Sequence, residues 1–160
     1  MQTVRVVGSS MYPSLYDGDL VIASKVDYRV HAVERGDVVI LRDPLDPSRD
    51  FIKRVVGLPG DRIQIHDHRV LVNGDALREP YVQTPWVAPG DWPGPGAQDS
   101  VVVPSASYFV LGDNRDHSSD SRVFSWVRRD AIDGKAVVRF WPFQRIELLA
   151  VRPTLARLQA

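Results

Sequence analysis

The sequence predicts a mostly β protein, with antiparallel sheets forming a barrel-like core that carries a small β insertion. Three observations support this expectation. Apolar residues come in short runs rich in Val and Ile. Gly, Pro, Asp and Asn bound those runs. No segment sustains a helical period, and the best helical candidate is the short tail Thr154–Gln159.

The predicted strands follow one another closely. Val4–Val7, Leu20–Ala23, Asp37–Leu41 and Ile52–Val56 come first, and Pro59-Gly60-Asp61 closes the last of these. Ile63–Ile65 and Val70–Val72 follow, with Asn73-Gly74 as a hairpin-type turn. Residues 85–96 hold four Pro and three Gly together with Trp86 and Trp92, so an irregular, mobile loop is expected there. Its two tryptophans are expected to pack the loop onto its own sheet, with a binding role as the alternative. Val101–Val103, Tyr108–Leu111 and Ala136–Phe140 complete the set. This order divides the chain into a discontinuous core (1–61 and 108–152), an insertion (62–107) and a tail (153–160).

Composition narrows the function classes. At 160 residues the chain is long enough to bury a core as one domain with an elaboration. Formal net charge is zero, so no basic excess points to nucleic acid. Cysteine is absent, which excludes disulfides and thiolate metal sites. No apolar run approaches the length of a membrane span, and Met1-Gln2-Thr3-Val4-Arg5 lacks the apolar core of a signal peptide, so the chain as given is expected to be soluble. No cofactor is called for.

Lysine usage singles out one residue. Only three of the 20 basic side chains are lysines: Lys25, Lys53 and Lys135. Lys53 lies in the apolar run Phe51-Ile52-Lys53-Arg54-Val55-Val56, beside an arginine. Arginine stays protonated at any usable pH, whereas a buried lysine can lose its proton. Lys53 is therefore a candidate general base, although a lysine on a strand more commonly extends its charge into solvent. Strand alternation puts Phe51, Lys53 and Val55 on one face and turns Arg54 to the other. Serving as a base near neutrality requires the lysine pKa to fall by about three pH units, or about 4 kcal/mol, which apolar burial can supply.

A base needs a nucleophile. Gly8-Ser9-Ser10-Met11-Tyr12-Pro13-Ser14-Leu15 offers serines at a strand-to-turn junction, where serines also cluster for purely structural reasons. A third segment, Gly112-Asp113-Asn114-Arg115-Asp116-His117-Ser118-Ser119-Asp120-Ser121-Arg122, interleaves Asp with Arg directly after an apolar run. That pattern suits an ion-paired buttress better than a solvated linker.

Together these segments resemble the bacterial type I signal peptidases, serine–lysine proteases that remove signal peptides from exported proteins. The likeness keeps its order over most of the chain. It runs through Gly36-Asp37-Val38-Val39-Ile40, Lys53-Arg54-Val55-Val56-Gly57-Leu58-Pro59-Gly60-Asp61, the hairpin up to Leu77-Arg78-Glu79-Pro80-Tyr81, and Gly134-Lys135-Ala136 with Trp141-Pro142. The resemblance implies Ser10 as nucleophile and Lys53 as general base. It implies that Ser118 hydrogen-bonds and aims the Lys53 amine. It also implies supporting ion pairs, Asp120 with Arg122 and Arg54 with Asp113. Gly8 stands where the family often has a hydroxyl-bearing oxyanion donor, which leaves the Ser10 N–H and a partner not identified from sequence. His117 stands where Asn is usual.

The implied substrates are secretory preproteins cleaved after Ala-x-Ala-like sites, at the extracytoplasmic face of the cytoplasmic membrane. Tyr12, Phe124, Trp126 and Trp141 are candidates for an apolar rim against lipid, or for ordinary core aromatics. The family's usual membrane helix upstream of the nucleophile does not fit into the residues preceding Ser10. Rival readings fare less well. Asp116, His117 and Ser118 are adjacent and diverge, so they cannot form a triad by themselves. His66 and His68 could share a strand face and bind a metal, but also suit a hairpin turn. A self-cleaving SOS-type repressor shares the chemistry, but needs a DNA-binding domain and a scissile segment before the serine. A non-catalytic β binding module remains as the other class.

Overall fold

The structure is a computed structural model and describes residues 1–94 and 99–155. Thirteen strands are present among the described residues. In chain order they are β1 (Gln2–Arg5), β2 (Leu20–Ser24), β3 (Val38–Asp43), β4 (Asp46–Gly57), β5 (Arg62–His66), β6 (Arg69–Val72), β7 (Asp75–Arg78), β8 (Val101–Val102), β9 (Ser107–Leu111), β10 (Val127–Arg128), β11 (Ile132–Trp141), β12 (Glu147–Leu148) and β13 (Thr154–Leu155). Two single-turn helices, α1 (Asp27–Val30) and α2 (Ser121–Phe124), interrupt them. None of these helices is long and apolar enough to cross a membrane.

The strands form two antiparallel sheets. The larger has eight strands in the order β1-β2-β11-β3-β4-β9-β10, with β12 added against β11. Its ladder ends at β1 and β10 rather than closing into a barrel. The smaller has five strands in the order β13-β7-β6-β5-β8. It is drawn from residues 62–102 plus Thr154 and Leu155, which pair with Arg78 and Leu77. The helical candidate Thr154–Gln159 therefore begins as a strand instead. Edge pairing to β7 outweighs the weak helical spacing of so short a segment. Residues 156–160 lie outside the described residues.

Alternation in β3 explains how the large sheet buries both faces. Val38 and Ile40 join Val6, Met11, Leu15, Val21, Ala23 and Ala136 in one apolar cluster. Val39 and Leu41 face the other way, into a cluster with Val55, Val110, Val127 and Ile132. Continuous apolar runs are what a strand covered on both faces requires. A third cluster joins the two sheets through Val56, Phe109, Ile63, Ile65, Val72 and Trp92. Trp92 bridges to Ile65 of the small sheet, as expected for packing onto its own sheet, and also lies 4.8 Å from Phe109 of the large one.

The sheets meet at Gly57. A Cβ there would lie 2.9 Å from both Ile63 Cδ1 and Phe109 Cβ, inside the shared core. Gly57→Ala is expected to cost about 1–3 kcal/mol through overpacking. Urea denaturation should report this as a lower midpoint at unchanged slope.

Candidate active site

Two elements bring the candidate nucleophile and base together. Ser10 sits on the turn that follows β1, next to buried Met11. Lys53 sits on β4, opposite Val39 in the ladder. The Lys53 Nζ donates to Ser10 Oγ at 2.9 Å. The lysine is 3% exposed, and its amine lies 4.9 Å from the centre of the Phe51 ring. Burial is the main influence on its pKa, which falls from 10.5 to about 8; the Asp120 carboxylate pulls it up and the Arg122 guanidinium pushes it down. A fraction of the molecules therefore carries a neutral amine near pH 7.

Arg54 takes the opposite face of β4, as strand alternation requires. It makes two bonds to Asp113, from Nε at 2.9 Å and from Nη2 at 2.8 Å, and both partners are buried. Ser14 donates to the same carboxylate at 2.5 Å. Asp120 is fully buried and gathers five donors: Arg122 Nε and Nη2, each at 2.9 Å, the Arg122 N–H at 3.2 Å, the Gly112 N–H at 3.0 Å and the Ser118 hydroxyl at 2.8 Å. Both expected ion pairs are present.

Ser118 differs from expectation, because its hydroxyl donates to Asp120 rather than to Lys53. An ionised carboxylate two residues away is the stronger acceptor, and the amine already bonds Ser10. Gly8 also departs from an oxyanion role, since its N–H is committed to Asp17 at 2.8 Å. Its φ of +89° shows why glycine suits that turn. Among the described residues no intramolecular bond takes the Ser10 N–H.

Several residues at the site went unrecognised in the sequence. Asn114 donates its backbone N–H to Ser10 O at 2.9 Å and its side-chain amide to Ser9 O at 3.0 Å. Thr84 of the insertion donates to that same Asn114 at 3.2 Å. Gly112 is equally constrained, because a Cβ there would lie 2.6 Å from Ser10 O and 2.5 Å from Ser118 Cβ. Arg115 is fully buried, with two bonds to Glu79. Interleaved Asp and Arg in 112–122 was the legible signal for such pairing, but it did not name Glu79 as a partner. His117 is exposed on the rim. The His66 ring lies 3.5 Å from Asp91, and His68 lies 3.0 Å from the Ala88 carbonyl, so the two face different partners.

A cleft of about 410 Å³ opens beside the pair, between residues 4–11 and Asp50–Lys53, with His117 and Ser119 also on its wall. Strand β9 pairs with β4 only from Arg54 onward, so Asp50–Lys53 have one free edge. A serine hydroxyl bonded to a neutralisable lysine, beside a groove with a free strand edge, is chemistry suited to a serine peptidase acting on extended peptides.

Comparisons agree with that class. The sequence matches the family described as signal peptidase, peptidase S26, over residues 1–141. It is 40% identical over 156 residues to the signal peptidase I of Leptolyngbya laminosa, spanning 93% of this chain and 73% of that protein. It is 35% identical over 153 residues to signal peptidase IB of Staphylococcus aureus (strain COL), spanning 89% of this chain and 78% of that one. A crystal structure of a signal peptidase I from Enterococcus faecalis V583 superposes with a TM-score of 0.53 at 29% identity, covering 66% of this chain and 97% of that one. The chain belongs to the signal peptidase, peptidase S26, family.

Burying the lysine has a thermodynamic cost whose sign is fixed. The folded pKa of about 8 lies below the ordinary 10.5, so the unfolded chain binds more protons between those values. Stability from this group therefore rises with pH across that window, and the penalty is complete below it. At 1.36 kcal/mol per tenfold change in proton affinity, the penalty is about 3 kcal/mol. Lys53→Met is expected to be more stable than the natural protein at pH 7 and to lose the stability gain between pH 8 and 10. Denaturant titrations at several pH values would measure both.

Proposed function

We propose that Ser10 is the nucleophile and Lys53 its general base in an endopeptidase that removes N-terminal signal peptides from exported preproteins. The observation that carries this reading is the 2.9 Å contact between a buried lysine amine and the serine hydroxyl. In the protonated form the amine donates to Ser10 Oγ. Once neutral, its lone pair accepts the serine proton as Oγ bonds to the scissile carbonyl carbon. The carbonyl oxygen becomes an oxyanion, for which the Ser10 N–H is a free donor. Collapse expels the amine of the mature protein, which takes the proton from Lys53 and leaves an acyl-Ser10 ester. Water, deprotonated by Lys53, then hydrolyses that ester. Asp120, Arg122, Ser118 and the Arg54–Asp113 pair support the site without touching the reacting atoms.

Recognition follows from the cleft. A preprotein segment in extended form can add to the free edge at Asp50–Lys53, and alternate side chains then point to the same wall. Small residues at alternate positions, as in Ala-x-Ala, are the side chains expected to enter that wall. Lipid contact at the extracytoplasmic face of the cytoplasmic membrane completes the reading. Tyr12 and Trp141 are exposed at 43% and 45%, and Phe143 packs edge-on to Trp141 at 4.7 Å. Phe124 and Trp126 are instead partly buried against the core, where Phe124 stacks on Phe51 and Trp126 meets Trp92 and Phe109 edge-on. Zero net charge gives nucleic acid no electrostatic purchase.

Ser10→Ala and Lys53→Ala should each reduce cleavage of an Ala-x-Ala preprotein by at least about 10³-fold. Normal turnover in either variant would remove the dyad assignment. The pH profile of kcat/KM should climb through a limb near 8 as Lys53 loses its proton. A flat profile from pH 6 to 10 would count against the base. His117→Asn should leave turnover close to that of the natural protein.

A further inference from the structure

The Pro- and Gly-rich stretch of the insertion does not behave as a free loop over residues 86–91. Asp116, on the rim of the catalytic loop, accepts the N–H groups of Val87 at 3.0 Å and Ala88 at 3.1 Å. Its carboxyl is held below the usual range chiefly by the Val87 N–H. His68 fixes the Ala88 carbonyl from the other side. Gly90 allows close approach to Trp86, since a Cβ there would lie 2.8 Å from the indole ring. The result is a short strap that presses the Trp86 ring onto the catalytic loop.

What Trp86 touches is informative. The Arg115 guanidinium lies 5.2 Å from its ring centre and that of Arg122 lies 5.9 Å away, both in cation–π range. His68 meets the same ring edge-on at 5.7 Å. Among the described residues the buried indole N–H has no hydrogen-bond partner. The tryptophan therefore contributes its ring face, not its donor, to these contacts. Of the two arginines, Arg115 is independently fixed by Glu79. Among the described residues Arg122 pairs with Asp120 alone, and it is 15% exposed beside the ring.

We propose that Trp86 is a positioning residue for catalysis: it seats Arg122, and Arg122 in turn holds the Asp120 carboxylate against Ser118 and Gly112. This rests on the Ser10–Lys53 reading of the site. Gly112 lies against the Ser10 carbonyl, so the chain of contacts runs from an insertion loop to the backbone of the nucleophile. It also reaches the base electrostatically. The charged groups that act on Lys53 are Asp120, Arg122, Asp113 and Asp43, and Arg122 is the one cation among them. Asp113 is already neutralised by Arg54, and Asp43 by Arg49. Releasing Arg122 would leave the Asp120 carboxylate uncompensated, and Lys53 would hold its proton to higher pH.

The test is the pH profile of preprotein cleavage for Trp86→Ala, Trp86→Phe and Asp116→Ala. Trp86→Ala should lower kcat/KM by about three- to tenfold, the range of one cation–π contact. It should also move the acid limb upward by about half a pH unit, as expected when one charge shifts by several ångströms. Trp86→Phe, which keeps a ring face, should return the limb toward that of the natural protein. A limb that stays in place in Trp86→Ala, however low the activity, would overturn the proposal, because a merely structural tryptophan lowers the amount of active enzyme without changing the base. Should Trp86→Ala fail to fold, Asp116→Ala loosens the strap from its outer end. An upward limb then supports the proposal, and an unmoved one overturns it. Turnover by Ser10→Ala in the same assay would sink the dyad reading, and this one with it.

Discussion

Keeping a lysine amine out of water beside a serine hydroxyl is the constraint on which the rest of the site depends. Burial is the largest influence disfavouring the ammonium, and the pKa falls to about 8. That effect is easily undone by a nearby unpaired carboxylate. The surroundings of Lys53 avoid this by pairing almost every charge. Arg54 is turned to the other face of β4, where it neutralises Asp113. Arg122 neutralises Asp120. The two acids closest to the base are thus each bound to a guanidinium, whose planar geometry suits two parallel bonds to a carboxylate. The same reasoning suits lysine rather than arginine at the proposed base, since only lysine can lose its proton there.

The loop from Gly112 to Arg122 is where these pairs converge. It begins directly after β9, a strand buried along its whole length, so its start is held rigidly. Asp113 reaches back to β4 and to Ser14, while Asn114 holds the carbonyls of Ser9 and Ser10. Asp120 folds the loop onto Gly112. One polar segment therefore clamps both the nucleophile's turn and the base's strand. Its tightness leaves no volume for a side chain at Gly112. The same density explains the fate of Ser118, whose short side chain meets the nearest carboxylate before it can reach the amine.

The insertion contributes more than bulk. It supplies Glu79 to Arg115 and Thr84 to Asn114, and its Trp86 covers the outer side of the loop. Trp92, from the same Pro-rich stretch, packs on Phe109 and closes the junction between the sheets. The two tryptophans thus divide two tasks, one covering the core and the other covering the catalytic loop.

Local features of the sequence decided the succession of the main strands, the two-faced burial of the central ones and the choice of Lys53 as a candidate base: alternation with period 2, Gly and Pro at turns, and a lysine where arginine would be expected. Strand parity also turned Arg54 to the face opposite Lys53. Ser10 as the partner of Lys53, and Asp113 as the partner of Arg54, came from the family resemblance. Tertiary structure alone decided which partner each polar group took. Ser118 chose Asp120, Gly8 chose Asp17, Arg115 chose Glu79 and Trp86 chose the arginines of another segment. Thr154 and Leu155, at the start of a segment with faint helical spacing, form a strand because β7 offers an edge to pair with. Such choices turn on distances between segments far apart in the chain. Many acceptors are chemically equivalent in sequence, and only the packed fold brings one of them within hydrogen-bond reach.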